Sequence, residues 1–358
     1  MLDQNQKSSI QYFDFKENKT IYELKSGSYK KVSVLGQGTF GKVLLVQKLS
    51  TDKEKKTKED SYYFALKISR RFRKVKKGKN SSKEDEKSEE EARQEINFIE
   101  LRELTNLKIL SKTNHLNIVN MLDFSCEKTE TWILMEYLKT DLWKFYTKNK
   151  DNPEVMNEKF FKNISFQILS GIEQVHSELI MHRDIKLENI LYDEENNIVK
   201  IGDFGLSRKL DYCLESQYTD VGTYPYKPPE VLLGLKNYTT AFDIWSIGCI
   251  LVYICTMSHL FGAEDPVGVI KLMYDIFGSF NDNVLPGYKD FPNANLVVNL
   301  PEKEGIGLVE YIKQNQKFKF ENDNFYDLIT KMLCIDPSKR ITAKKCLKHP
   351  FFSDINVI

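Results

Sequence analysis

Between residues 182 and 189 the chain reads HRDIKLEN, eight positions holding two cations, two carboxylates, an imidazole and an amide. Polar groups at this density are costly to bury unless each has a partner, so the stretch predicts a site rather than a plain turn. Asp184, Lys186 and Asn189 fall on a loop before the strand-like NILY. DEENN then turns the chain and VKIGDFG returns it, which brings Asp203 back beside Asn189. Oxygen ligands from Asn189 and Asp203 suit Mg²⁺, a hard cation that keeps waters and is shared with substrate phosphates. Asp184 is then free to orient a hydroxyl and accept its proton, and Lys186 to neutralise charge on a phosphoryl group in transfer. Taken singly, each residue has a plainer reading, an Asp capping a turn or an Asn satisfying backbone donors.

Two further signals point to phosphate. LGQGTFGKV carries Gly36, Gly38 and Gly41 in the G-x-G-x-x-G spacing, which lets backbone amides approach phosphate oxygens. A dinucleotide-binding fold requires a helix after the third glycine, whereas KVLLVQ alternates like a strand, so the loop is expected to join a hairpin. Lys67 lies in the apolar strand FALKI, where a lysine calls for an anionic partner. Glu103 on the following helix is the expected partner because it shares the face of Leu107 and Leu110; Glu95 and Glu100 are its rivals.

The elements that must position these groups divide the chain in two. KVSVLG, KVLLVQKL and YYFALKI read as three antiparallel strands, INFIELRELTNLKIL as an amphipathic helix and TWILMEYL as a buried strand. After Asp141 helical periodicity takes over, in FKNISFQILSGIEQVHSELI, DIWSIGCILVYICTM, VGVIKLMYDIFG, NDNFYDLITKMLC and ITAKKCLKHPF. The expected domains are an N-terminal extension over 1–29, a small lobe over 30–138 with a charged insertion near 69–92, a larger lobe over 139–352 and a tail over 353–358. The insertion, with its basic and then acidic blocks, reads as a solvated loop, with a docking or nuclear-import role as the alternative.

Composition narrows the class. With 358 residues, 52 basic and 51 acidic side chains and a net charge of +1, no overall field would hold the chain on nucleic acid or an anionic membrane, and neither is an expected partner. The six cysteines are scattered, with no metal-ligand or disulfide spacing, which suits a reducing compartment. The start lacks a signal-peptide pattern and IWSIGCILVYICTM is short for a bilayer span, so a soluble intracellular protein is expected, in cytoplasm or nucleus.

The glycine loop, Lys67, Glu103, HRDIKLEN and DFG stand in the order of the protein-kinase signature set. From about residue 30 to 352 the chain resembles a eukaryotic protein kinase, and within that family the cyclin-dependent kinases, through LRE, EYLKTDL, PEVLLGLKNYTTAFDIWSIGCI and DPSKRITAKKCLKHPFF. The resemblance implies an α+β, two-lobed kinase fold: a small antiparallel β-rich N-lobe with one main helix and a larger, mainly α-helical C-lobe. It implies ATP and Mg²⁺ as cofactors and protein serine or threonine hydroxyls as acceptors. Met135 would be the gatekeeper, Glu136 and Leu138 would bond adenine through their backbones, Val43, Ala65 and Leu191 would line its pocket, and Asp141 would reach the ribose. Glu230 and Arg340 match the buried pair that anchors the activation segment, and Asp243 the residue that holds the catalytic loop.

Arg102, Arg183 and Arg208 match the family's arginine cluster, whose mutual repulsion a phosphate would relieve. Phosphorylation of the activation segment is therefore expected, with Thr219 ahead of Tyr218. An activating subunit, a cyclin by resemblance, is expected on the 97–103 helix, where Phe98, Ile99 and Leu101 offer apolar surface; packing on the small lobe is the alternative. Three departures stand out: Lys227 in place of the subgroup's arginine, Gly222 in place of a valine linked to proline-directed specificity, and Leu187 in place of the catalytic loop's proline. A pseudokinase scaffold is the competing class, although none of its usual lesions is present.

Overall fold

The first half of the chain alternates at period two, and in the computed structural model those runs pair into one antiparallel sheet. The structure describes residues 20–38, 41–49, 62–70, 100–127, 130–152, 155–210, 221–318 and 322–355. The sheet consists of β1 (Ile21–Leu24), β2 (Gly27–Gly38), β3 (Gly41–Lys48), β4 (Tyr63–Arg70), β5 (Met121–Cys126) and β6 (Glu130–Glu136), in the order β1-β2-β3-β4-β6-β5. One face is sealed by Tyr22, Tyr29, Leu44, Val46, Leu66, Ile68, Trp132 and Leu134. The alternation of β3 follows directly: Leu44 and Val46 are buried while Val43 and Leu45 on the other face are only partly covered.

One reading of the sequence is corrected by the sheet, and one strand is added to it. Residues 20–28 were assigned to an N-terminal extension, yet Ile21–Leu24 pairs with the start of β2 in a tight hairpin. The cause is aromatic: Tyr22 packs edge-on against Trp132 at 5.2 Å, and Tyr29 against Phe64 at 5.6 Å. Strand β5 escaped notice because its mostly half-exposed, mixed-polarity residues on a sheet edge leave little periodic signal.

Gly41 is required by packing. A Cβ there would lie 2.1 Å from the Ile68 carbonyl oxygen on the adjacent strand. Gly41→Ala should therefore cost about 1–3 kcal/mol by overpacking, read as a lower unfolding midpoint, whereas Gly36→Ala, with nothing within 4 Å of its Cβ, should be nearly neutral in stability.

Helix α1 is described over residues 100–111. The chain divides into two compact units, one of residues 1–100 and 121–137, the other of residues 101–120 and 138–358. Residues 101–120 join the second unit through hydrogen bonds such as Asn106 to Ser207 and Asn117 to the Val199 carbonyl, and through the bridge between Ile118 and Ile201.

The second unit contains the short strands β7 (Thr140–Asp141), β8 (Ile180–Met181), β9 (Ile190–Asp193), β10 (Ile198–Ile201) and β11 (Arg208–Lys209). Its helices are α2 (Leu142–Asn149), α3 (Glu158–Ser177), α4 (Pro229–Leu232), α5 (Ala241–Thr256), α6 (Pro266–Phe277), α7 (Asn295–Val298), α8 (Leu308–Asn315), α9 (Asp323–Met332) and α10 (Ala343–Leu347). Their starts are written in the sequence: Asn157, Asp265, Asn322 and Thr342 each accept a first-turn backbone N–H. Helix α5 is buried on every side from Phe242 to Thr256, which explains an apolar run without amphipathic period. Among the described residues no helix is long and apolar enough to cross a membrane.

Candidate active site

In the sheet unit, pairing gathers several predicted residues on one face. Gly36 pairs with Val43, Val43 with Lys67, and Ala65 with Met135. Because partners across a ladder point the same way, Val43, Ala65, Lys67 and Met135 form a contiguous patch opposite the apolar core. Gly38 pairs with Gly41 where β2 passes to β3, so the glycine loop closes a hairpin and no helix follows it. Glu136 ends β6. Glu100, one of the rival acids, accepts a 3.3 Å hydrogen bond from Thr131 on this sheet.

In the helical unit, strands β9 and β10 form the expected hairpin, Ile190 opposite Ile201. Two bonds tie the segments on either side of it: Gly202 N–H donates to the Asn189 carbonyl at 2.8 Å, and the His182 ring Nε2 bonds the Gly202 carbonyl at 2.9 Å. His182 Nδ1 lies 3.3 Å from the Asp184 backbone N–H, which leaves Nε2 as the donor. Its ring also packs edge-on against the fully buried Phe204 at 4.9 Å. Asp203 is thereby set beside Asn189 with a left-handed backbone, φ 55° and ψ 74°, and Arg183 has φ 67°. Non-glycine residues hold such conformations only where their surroundings enforce them, at a cost of about 1–3 kcal/mol each.

The Asp184 carboxylate is the hub. Thr223 Oγ1 donates to Oδ1 at 2.9 Å, Lys186 Nζ lies 2.9 Å from Oδ2, and Asn189 Nδ2 donates to Oδ2 at 3.0 Å and to the Asp184 carbonyl at 2.8 Å. Lys186 also reaches Thr223 at 3.3 Å. With its nitrogen committed to Asp184, the Asn189 amide turns its oxygen away from that residue, so a hard neutral oxygen and the Asp203 carboxylate make a donor set that fits Mg²⁺. Leu187, where the resemblance implies proline, is fully buried in a 3₁₀ turn over Leu187–Asn189.

Asp243 on α5 fixes this loop from beneath. Its carboxylate accepts from the His182 and Arg183 backbone N–H groups at 2.9 and 2.8 Å and pairs with His176 Nε2 at 2.8 Å. Burial opposes its charge, but the His176 contact, the proximity of His182 and the backbone donor outweigh it, and its pKa falls below the ordinary carboxylate value. A depressed carboxylate pKa contributes stability that is present above the unfolded pKa and is lost as pH falls through the folded one. Acid unfolding followed by circular dichroism should therefore show wild type losing stability more steeply than Asp243→Asn below about pH 4.

The three arginines expected to cluster all lie among the described residues. Arg183 is buried, donating to the Leu206 carbonyl at 2.7 Å and the Tyr238 hydroxyl at 2.9 Å. Arg208, on β11, also acts electrostatically on Tyr238. Arg102 lies on α1, the helix whose Asn106 bonds Ser207 next to Arg208. Tyr218, Thr219, Phe98, Ile99 and most of the charged insertion lie outside the described residues. Gly222 has φ 78°, and a Cβ there would meet the Arg183 carbonyl at 2.8 Å, so glycine is demanded by both backbone and space. Lys227 is buried with its ammonium 4.2 Å from the centre of the Tyr224 ring.

Glu230 and Arg340 form a bidentate pair, Nη1–Oε1 2.8 Å and Nη2–Oε2 3.0 Å, both side chains buried. Asp141 pairs with Leu191 across β7 and β9 and caps α2, accepting from Lys144 N–H at 2.8 Å with Lys144 Nζ at 2.7 Å. Glu103 is buried on α1 and belongs to the second unit, as does Leu138, whereas Lys67 belongs to the first. The sequence reading missed His176, whose role depends on a residue 67 positions away.

Residues 29–352 match the protein kinase domain family. The chain is 31% identical over 333 residues to cyclin-dependent kinase B2-1 of Oryza sativa subsp. japonica, covering 92% of this chain and 90% of the relative. It is 32% identical to probable cyclin-dependent kinase 10 of Dictyostelium discoideum, covering 91% of this chain and 79% of the relative. With cyclin-dependent kinase 1 of Encephalitozoon cuniculi it shares 30% identity over 92% of this chain and 98% of the relative. With a β-sheet unit, a helical unit and these matches, the chain belongs to the protein kinase family, as a serine/threonine kinase of the cyclin-dependent kinase-like group.

Proposed function

We propose that the protein transfers the γ-phosphoryl group of Mg-ATP to serine or threonine hydroxyls of protein substrates. The observation that carries this reading is the Asp184 carboxylate held by Thr223, Lys186 and Asn189 within 3.0 Å. In the reaction the acceptor oxygen bonds the γ-phosphorus, the bond to the β–γ bridging oxygen breaks, and its electron pair leaves with ADP. The acceptor's proton passes to Asp184, and Lys186 offsets the charge on the transferring group. Asn189 and Asp203 would hold Mg²⁺, which supplies charge neutralisation on the phosphates.

On this reading the nucleotide is held by the residues expected from the sequence. Backbone amides at Gly36, Gly38 and Gly41 take phosphate, Lys67 aligned by Glu103 takes phosphate oxygens, and Val43, Ala65, Met135, Glu136, Leu138 and Leu191 receive adenine, with Asp141 toward the ribose. Phosphorylation at Thr219, or else Tyr218, would engage Arg102, Arg183 and Arg208. A cyclin or other activating subunit would dock at the 97–103 helix; the relatives' names and the exposure of Leu101 support this.

The test is transfer of labelled phosphate from Mg-ATP to a serine/threonine peptide library, with and without subunits recovered from native extract. Labelling by wild type and its loss in Asp184→Asn is the expected result; equal labelling by both would defeat the proposal, and nucleotide binding without labelling under either condition would favour the scaffold reading. Lys67→Met should lower turnover by about 10²–10³-fold, the size of one lost transition-state contact, with little change in unfolding midpoint, because Lys67 lies on the face opposite the sheet's core.

A further inference from the structure

Asn106 departs from the pattern that shapes the rest of α1. The helix turns Glu103, Leu107 and Leu110 to its buried side, and Asn106 shares that side at 2% exposure. Asparagine is a poor helix former, and its amide is costly to bury unless it is bonded. Its partner stands 101 positions further along the chain: Asn106 Nδ2 donates to Ser207 Oγ at 2.9 Å. Ser207, 1% exposed, gives its one hydroxyl proton to the Phe204 carbonyl at 2.6 Å. With that proton committed the oxygen can only accept from Asn106, so both bonds have a settled direction.

The Phe204 carbonyl closes the 3₁₀ turn Phe204–Leu206, which Asp203 opens with its left-handed backbone. It accepts twice from Ser207, once from the hydroxyl and once from the backbone N–H at 3.0 Å. On the other flank of Asp203, Gly202 is fastened through Asn189 and His182. A residue in a strained conformation keeps it only where its surroundings hold it. Here one hold comes from the loop of Asp184 and the other leads, through Ser207, to α1. Groups that orient a metal's ligands from behind act on its affinity strongly, although they never touch the ion.

Resting on the phosphoryl-transfer reading, in which Asp203 is a Mg²⁺ ligand, we propose that Asn106 is a positioning residue for the metal. Through Ser207 it fixes the turn that sets Asp203, and it thereby ties Mg²⁺ binding to the helix that carries Arg102 and Glu103.

The experiment raises Mg²⁺ against the full chain with a fluorescent ADP at fixed concentration, and reads bound nucleotide by anisotropy rather than by turnover. Asn106→Leu should raise the Mg²⁺ concentration at half-binding by about tenfold. Ser207→Ala, which removes only a hydroxyl and is the milder change for folding, should do the same. Combining Asn106→Leu with Ser207→Ala replaces both partners by apolar groups, so the unfolding midpoint should return close to wild type while the Mg²⁺ requirement stays high. In an Asp203→Asn background, Asn106→Leu should add nothing, because it acts through that carboxylate. A Mg²⁺ requirement that is unchanged in both single variants, restored in the combined one, or raised by Asn106→Leu equally with and without Asp203, would overturn the proposal, as would wild-type binding that ignores Mg²⁺. The expected pattern in a protein that labels no peptide would uphold the positioning role and defeat the phosphoryl-transfer reading.

Discussion

Asp184→Asn is expected to lower kcat by about 10²–10⁴-fold, the range for loss of a positioned general base, while leaving the KM for ATP within a few-fold of wild type. The reason is local. An amide keeps the shape of the carboxylate and can turn its oxygen to the Asn189 and Lys186 donors, but it cannot accept the acceptor's proton. The Thr223 hydroxyl can rotate to serve either end, so that contact survives. Single-turnover phosphoryl transfer separates the two effects: the chemical step should slow by the full factor, with nucleotide affinity almost unmoved. A loss of nucleotide binding equal to the loss of rate would show that Asp184 holds the site together rather than taking the proton.

Arg340→Met should lower stability by about 3–5 kcal/mol, the cost of stranding one half of a buried ion pair, and so reduce the Tm of the helical unit by roughly 10 °C. Buried pairs can often be replaced by apolar residues at little net cost, but this one differs. Beyond its two bonds to Glu230, Arg340 donates to the carbonyls of Cys334, Ala241 and Ile335, and its guanidinium sits 5.0 Å from the Trp245 ring centre. The double variant Glu230→Leu with Arg340→Met therefore removes the Arg340 donor from three carbonyls, one of them in a buried contact. Calorimetry should find the double variant still well below wild type; full recovery would mean that water or a local shift satisfies those carbonyls.

What could be read in advance was whatever chemistry lies close along the chain. HRDIKLEN, NILY, DEENN and VKIGDFG lie within 24 residues of one another, and hairpin geometry alone brings Asn189 and Asp203 to one end. The helix starts were equally local, since Asn157, Asp265, Asn322 and Thr342 cap their own first turns. The role of Asp243 came through the resemblance and was then given a mechanism by its two backbone bonds. Beyond reach were features assembled from distant segments. The hairpin at Ile21–Leu24 depends on a tryptophan 110 positions after Tyr22. The Thr223 bond to Asp184 spans 39 positions and depends on the left-handed turn at Gly222.

The two amide bonds from His182 and Arg183 to Asp243 have one more consequence. Surface loops ordinarily open on their own, at a small free energy unrelated to that of the core. Here the backbone is fastened to a carboxylate on a helix buried all round, so releasing those two N–H groups to solvent means loosening that helix from its neighbours. The segment therefore borrows the rigidity of that buried helix, and deuterium should enter at those two amides about as slowly as it enters the helix centre.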